Sequence, residues 1–246
     1  ACLVTRDYFG PGRYRVVMRP VQAEGACNAL WSFHYEEGYP GNALNDLIHD
    51  DGLHQSGDEE NGYYIVRNHE IDIEFPTSLK TYADHEQGSF TNSRFNTWRG
   101  ELRNWSVPNA DVPTNDPMYS PVADPAYWSE YTDDFVSHGV NLADGNFHEL
   151  GYDWHLGDDP RVEFYIDGIL RHTVRTHIPD IPGRFWVGHW FPSASIHWAG
   201  RGSDWDTQVM YVKSISITPF ADEQVYVRNY VETYPLDVYR DLMHIR

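Results

Sequence analysis

The sequence is poor in cysteine, in positive charge and in long apolar runs, and each shortage removes a class of function. Its two cysteines, Cys2 and Cys27, in a chain of 246 residues are too few for a zinc cluster or a disulfide-framed scaffold. They fall in neighbouring candidate strands, so a disulfide and a pair of free thiols are both open readings. Lys and Arg total 18 against 37 Asp and Glu, a net charge of −19, which excludes nucleic acid and an anionic membrane as partners. No apolar run approaches the roughly 20 residues that span a bilayer. No Pro/Gly/Ser-rich linker or internal repeat interrupts the chain, so residues 1–246 read as one domain ending in a motif-free tail, 221–246. The chain opens on Ala1 rather than Met and shows no signal peptide, which we read as a mature or trimmed product.

Aromatic residues are abundant, at 15% with 9 Trp and 17 Tyr, more than one core needs. Rings of this kind stack on the apolar faces of sugars as well as filling sandwich interiors.

The remaining chemistry concentrates in His69-Glu70-Ile71-Asp72-Ile73-Glu74-Phe75. In an extended strand, alternate side chains share a face, so Ile71, Ile73 and Phe75 turn one way and Glu70, Asp72 and Glu74 the other. Like charges stacked at every second position are unfavourable, and acidic residues are poor strand formers, so a ligand, a metal or a reaction is the expected reason. Glu70 and Glu74 stand roughly 13 Å apart along the backbone. Two leaning side chains bring the carboxyl groups to about 5–6 Å, the spacing of a retaining glycosidase. Asp72 between them pushes their pKa values apart.

Glu-Ile-Asp-Ile-Glu-Phe resembles the active-site strand of glycoside hydrolase family 16 in its unbulged form. The resemblance implies an all-β fold, a bent β-sandwich jelly roll of the concanavalin-like kind with a long carbohydrate cleft. It gives Glu70 as nucleophile, Asp72 as assisting carboxylate and Glu74 as general acid/base. It also places Arg6, Phe33, Tyr35 and Trp190 at sugar-contacting positions and sets Trp198-Ala199-Gly200 beside the cleft. Gly188 stands where many members have Asn, and Tyr211 where many have a calcium-binding Asp, so neither calcium nor another cofactor is assigned.

Ser89 to Trp98 reads as a strand beside the carboxylates, with Arg94, Asn96 and Trp98 on one face. The resemblance matches Phe95-Asn96 to a Phe-Asn pair of the family. Residues 36–62 read as a solvated loop flanking the cleft, and 104–140 as a long cleft-wall loop. The C-terminal half returns to strands at 147–155, 161–167, 169–174 and 209–218, and Val238 to Ile245 suggests a short helix on the convex side.

The expected function is a retaining endo-β-glycanase, with β-glucan favoured as substrate. The alternatives are an endo-β-galactanase, a transglycosylase and a non-catalytic carbohydrate-binding sandwich. A polysaccharide is the expected partner, the chain a monomer, and its location secreted, periplasmic or cell-surface.

Overall fold

The computed structural model describes residues 2–38, 64–77, 90–103, 126–191 and 207–228, with the backbone alone described at 35–38, 64–67, 101–103 and 126–133. The strands are β1 (Cys2–Phe9), β2 (Gly12–Arg19), β3 (Cys27–Gly38), β4 (Tyr64–Pro76), β5 (Asn92–Arg103) and β6 (Ala126–Ser137). They continue with β7 (His148–His155), β8 (Arg161–Ile166), β9 (Ile169–Val174), β10 (Gly183–Trp190) and β11 (Tyr211–Pro219). A six-stranded sheet runs β1-β10-β3-β4-β5-β6 and a five-stranded sheet runs β11-β2-β7-β8-β9.

Alternation in sequence explains how the sheets face each other. In β2, Tyr14, Val16 and Met18 are fully buried, while Arg13, Arg15 and Arg19 fall at alternate positions on the outer face. The six-stranded sheet answers with Leu30, Ile71, Ile73, Phe75, Phe95 and Phe185. Rings join the sheets: Phe95 stacks on Phe164 at 4.8 Å, and Tyr14 packs against Phe185 at 5.3 Å. Burial of such side chains contributes about 1.5–3 kcal/mol each.

Two turns show why particular residues were needed. Asp167 and Gly168 both take positive φ, 52° and 72°, the pairing a two-residue hairpin requires between β8 and β9. Gly151 lies beneath the Arg15 side chain; a Cβ there would stand 1.9 Å from the Tyr14 carbonyl oxygen.

Two expectations need correction. Ala126–Ser137, read as part of a cleft-wall loop, is an edge strand paired with β5 along its whole length; its polar sequence suits an edge and hides the alternation. Cys2 and Cys27 are free thiols, one exposed and one buried. They do not lie in neighbouring strands, because β10 runs between β1 and β3. The start of the tail forms a short 3-10 helix, Ala221–Tyr226, across one end of the sandwich. Glu223 anchors it, accepting from His155 Nδ1 at 2.8 Å and from the Leu156 amide at 2.7 Å. The suggested helix at Val238 to Ile245 lies outside the described residues, as do residues 39–62 and 104–125 of the two long polar loops.

Candidate active site

The ladder register turns the acidic strand into a two-dimensional array. Residues paired across antiparallel strands share a face, so each carboxylate of β4 has named neighbours on the outer face of its sheet. Glu70 lies between Phe33 of β3 and Trp98 of β5. Asp72 lies between Trp31 and Asn96, and Glu74 between Ala29 and Arg94. One strand further, β10 adds Arg184 to the Glu70 row, Trp186 to the Asp72 row and Gly188 to the Glu74 row.

Thus Glu70, Asp72, Glu74, Phe33, Arg94, Asn96 and Trp98 come together on one surface. Trp190 joins them at the end of β10, paired with Cys27, whose other partner is Pro76 beyond Glu74. Arg6 lies exposed in the irregularity of edge strand β1 between Val4, paired with Trp186, and Tyr8, paired with Arg184, and β10 and β3 separate β1 from β4. Tyr35 holds its place in β3 opposite Asn68, with its side chain outside the described residues, and Trp198 is outside them altogether.

The site is polar yet sparingly hydrated. Asp72, Asn96 and Arg94 are each about 5–6% exposed. Burial pushes the Glu70 carboxyl up to about 7, against a hydrogen bond from Asn68 that favours its charged form. Asn96 Nδ2 donates to Glu74 Oε2 at 3.4 Å. Arg94 lays its guanidinium over the Phe135 ring at 5.2 Å, a cation–π contact that fixes the cation beside Glu74.

The sequence reading missed an aromatic wall. Trp31 and Trp186 stack at 5.6 Å with a 12° interplanar angle, and Phe33 meets Trp186 edge-on at 6.5 Å. Beyond them Tyr8 carries the Arg184 guanidinium at 4.9 Å. Alternation from Phe33 would have placed Trp31 on this face. Nothing in the sequence says that β10 lies beside β3.

Other reactive groupings are structurally committed. Burial, and after it the Glu74 charge, pushes the Cys27 thiol well up, so it stays protonated and poorly nucleophilic. Ser93 Oγ lies 3.0 Å from His138 Nε2, but His138 Nδ1 accepts from the Val140 amide. That tautomer donates to the serine and cannot take its proton. Among the described residues, Asp153, His155 and Glu163 bring one ligand atom each within 4.8 Å of one another. Their donors are already engaged: Asp153 by Arg13 and Arg15, Glu163 by Arg161 and Tyr165, and His155 by Glu223. Tyr211, the position considered for calcium, faces Arg19 at 4.0 Å.

No protein-family model matches the chain. It is 34% identical to a β-glucanase of Paenibacillus polymyxa over 64 residues, 25% of this chain and 26% of that protein. It is 33% identical to one of Bacillus licheniformis over 64 residues, 25% of each chain. The matched stretch spans about a quarter of the length of these curated relatives. The solved Bacillus licheniformis β-glucanase superposes with a TM-score of 0.50 at 20% identity, covering 88% of this chain and 69% of its own. The chain is thus similar over about a quarter of its length to bacterial β-glucanases, and it has a jelly-roll fold like that of the solved one. The resemblance to glycoside hydrolase family 16 is borne out at that level. A prokaryotic β-1,3-1,4-glucanase (lichenase) from a mouse hindgut metagenome gives a TM-score of 0.52 at 16% identity, covering 89% of this chain and 71% of its own. A κ-carrageenase of Zobellia galactanivorans gives 0.53 at 11% identity, covering 89% and 70%.

Proposed function

We propose that the chain is a retaining endo-β-glycanase acting on a β-glucan, with residues 1–246 serving as one catalytic domain. The observation that carries this reading is the array itself. Three carboxylates occupy successive outward positions of β4, flanked by aromatic rings and amide or guanidinium donors in register. Glu70 attacks the anomeric carbon, and the glycosidic bond breaks as Glu74 donates its proton to the departing oxygen. Glu74, now ionised, takes a proton from water. The hydroxide attacks the same carbon, frees the sugar from Glu70 and leaves the β-configuration unchanged. Asp72 spaces the two charges and separates their pKa values. The local identity to bacterial β-glucanases supports glucan as substrate, and the role fits a secreted or surface-bound enzyme.

The deciding experiment is reducing-end release from mixed-linkage glucan and laminarin, with NMR of the first anomer formed. β-Oligosaccharides of intermediate length are expected. An initial α-anomer, or single sugars released only from chain ends, would overturn the assignment.

Arg94 supports a second reading. A guanidinium held against Phe135 beside Glu74 suits a galactan carrying sulfate, the kind of group Arg binds bidentately, and the κ-carrageenase shares the fold. Cleavage confined to a sulfated galactan and lost in Arg94→Ala would establish it over the glucan.

A further inference from the structure

The six-stranded sheet has a second row worth following, the inward one immediately behind Glu70. It consists of His34, His69 and Arg99, paired strand to strand across β3, β4 and β5. The outward row beside it is Phe33, Glu70 and Trp98. Each member of one row is bonded in sequence to a member of the other, so whatever holds the inward row sets the pleat of the outward one.

One carboxylate gathers two members of that row, while His34 bonds to the Pro182 carbonyl at 2.9 Å. Asp180, in the segment between β9 and β10, accepts from Arg99 Nη2 at 3.0 Å and stands 3.8 Å from His69 Nδ1. Asp180 is gripped in turn by Arg228, two residues beyond the 3-10 helix Ala221–Tyr226. Arg228 donates to Asp180 twice, from its amide to the carbonyl at 2.8 Å and from Nη2 to Oδ1 at 2.9 Å. The same Nη2 reaches His69 Nε2 at 3.4 Å. A guanidinium only donates, so Nε2 accepts, and the imidazole proton sits on Nδ1, toward Asp180. The His69 side chain is fully buried, and His34 meets its ring edge-on at 6.4 Å.

We propose that Arg228 is a positioning residue: by fixing His69 and Asp180 behind β4 it holds Glu70 on the reacting face, making the C-terminal crossing segment part of the catalytic scaffold. The inference rests on the assignment of Glu70 as a reacting carboxylate. On its own face Glu70 has Asp72 along the strand, with Arg184 two strands away; behind it stand His34, His69, Arg99, Asp180 and Arg228. Removing Arg228 deletes one of the cations behind Glu70 and frees the His69 ring, so both the geometry and the titration of Glu70 respond.

The test compares the wild type with Arg228→Ala and Arg228→Lys, the latter keeping the charge on Asp180 without the planar fork. Arg228→Ala is expected to lower kcat about 10- to 100-fold with KM little changed, the scale of a small misplacement of a reacting group. Millimolar guanidinium is expected to restore part of that loss in Arg228→Ala and none in Arg228→Lys. Independently of activity, the ¹³C carboxyl titration of Glu70 is expected to move in Arg228→Ala, and the His69 ¹⁵N signals to leave the fixed Nδ1–H tautomer. Wild-type kcat together with an unmoved Glu70 titration in either folded variant would overturn the proposal. If the wild type cleaves no glycan, the functional reading fails by itself, and the two NMR titrations still decide whether Arg228 governs the Glu70 side chain.

Discussion

Asn96 Nδ2 donates to Glu74 Oε2 at 3.4 Å although the ladder pairs Asn96 with Asp72, so the contact is a diagonal one between neighbouring rows. Such a bond favours the ionised carboxylate. Glu74 must hold a proton to act as the acid, and Asn96 makes that proton easier to lose. Asn96→Ala is expected to move the alkaline limb of kcat/KM upward by about half to one pH unit, the value of one long hydrogen bond to a charge. A pH–rate profile superposable on the wild type would refute it.

Glu70 carries a stability cost that grows with pH. Its carboxyl rises from 4.5 to about 7 in the folded state, first because burial penalises the charge. The folded form therefore binds the proton more tightly than the unfolded one. The group's contribution is fully present below about pH 4.5 and is lost as pH rises through about 7. Glu70→Gln removes that penalty above this range. Its melting temperature should exceed the wild type's at pH 8 and match it near pH 4, while its turnover falls by several orders of magnitude. The wild-type acid limb should lie near pH 7, since attack needs the ionised carboxylate.

The sequence made the face of β4 legible because period-two alternation is a local property, and it extended correctly to Arg94, Asn96 and Trp98 on β5. Strand order is not local. Trp186 and Arg184 enter the site because β10 inserts between β1 and β3, and the same insertion separates Cys2 from Cys27. β6 was missed because Thr132-Asp133-Asp134 breaks any apolar alternation in it. Arg228 could not be found from sequence, since its partners Asp180 and His69 meet it only through the crossing segment.

Trp190 is half-buried at the end of β10, opposite Cys27. Trp190→Ala is expected to raise KM severalfold with a small change in melting temperature. A loss approaching the roughly 3–5 kcal/mol of a core tryptophan would assign it to packing instead.

A histidine far from the site should tune stability with pH. Burial works against a charged His148, yet its hydrogen bonds to Asp167 and Asp144, at 2.9 and 3.1 Å, prevail and raise its pKa above 6.5. The contribution is complete below about pH 6.5 and disappears as pH rises through the folded value. Thermal melts of wild type and His148→Gln should therefore converge between pH 6 and pH 9; a constant gap would reject the charge-based account.

The alternation of β4 also acts during folding. A slip of one residue against β3 or β5 would turn Glu70, Asp72 and Glu74 into the interior and put Ile71, Ile73 and Phe75, all fully buried in the native sheet, in water. Burying three carboxylates without partners costs far more than a domain's net stability allows. Mispaired registers of the central strand are thus strongly disfavoured, and the residues proposed for the chemistry are the same ones that make the chain proofread its own strand pairing.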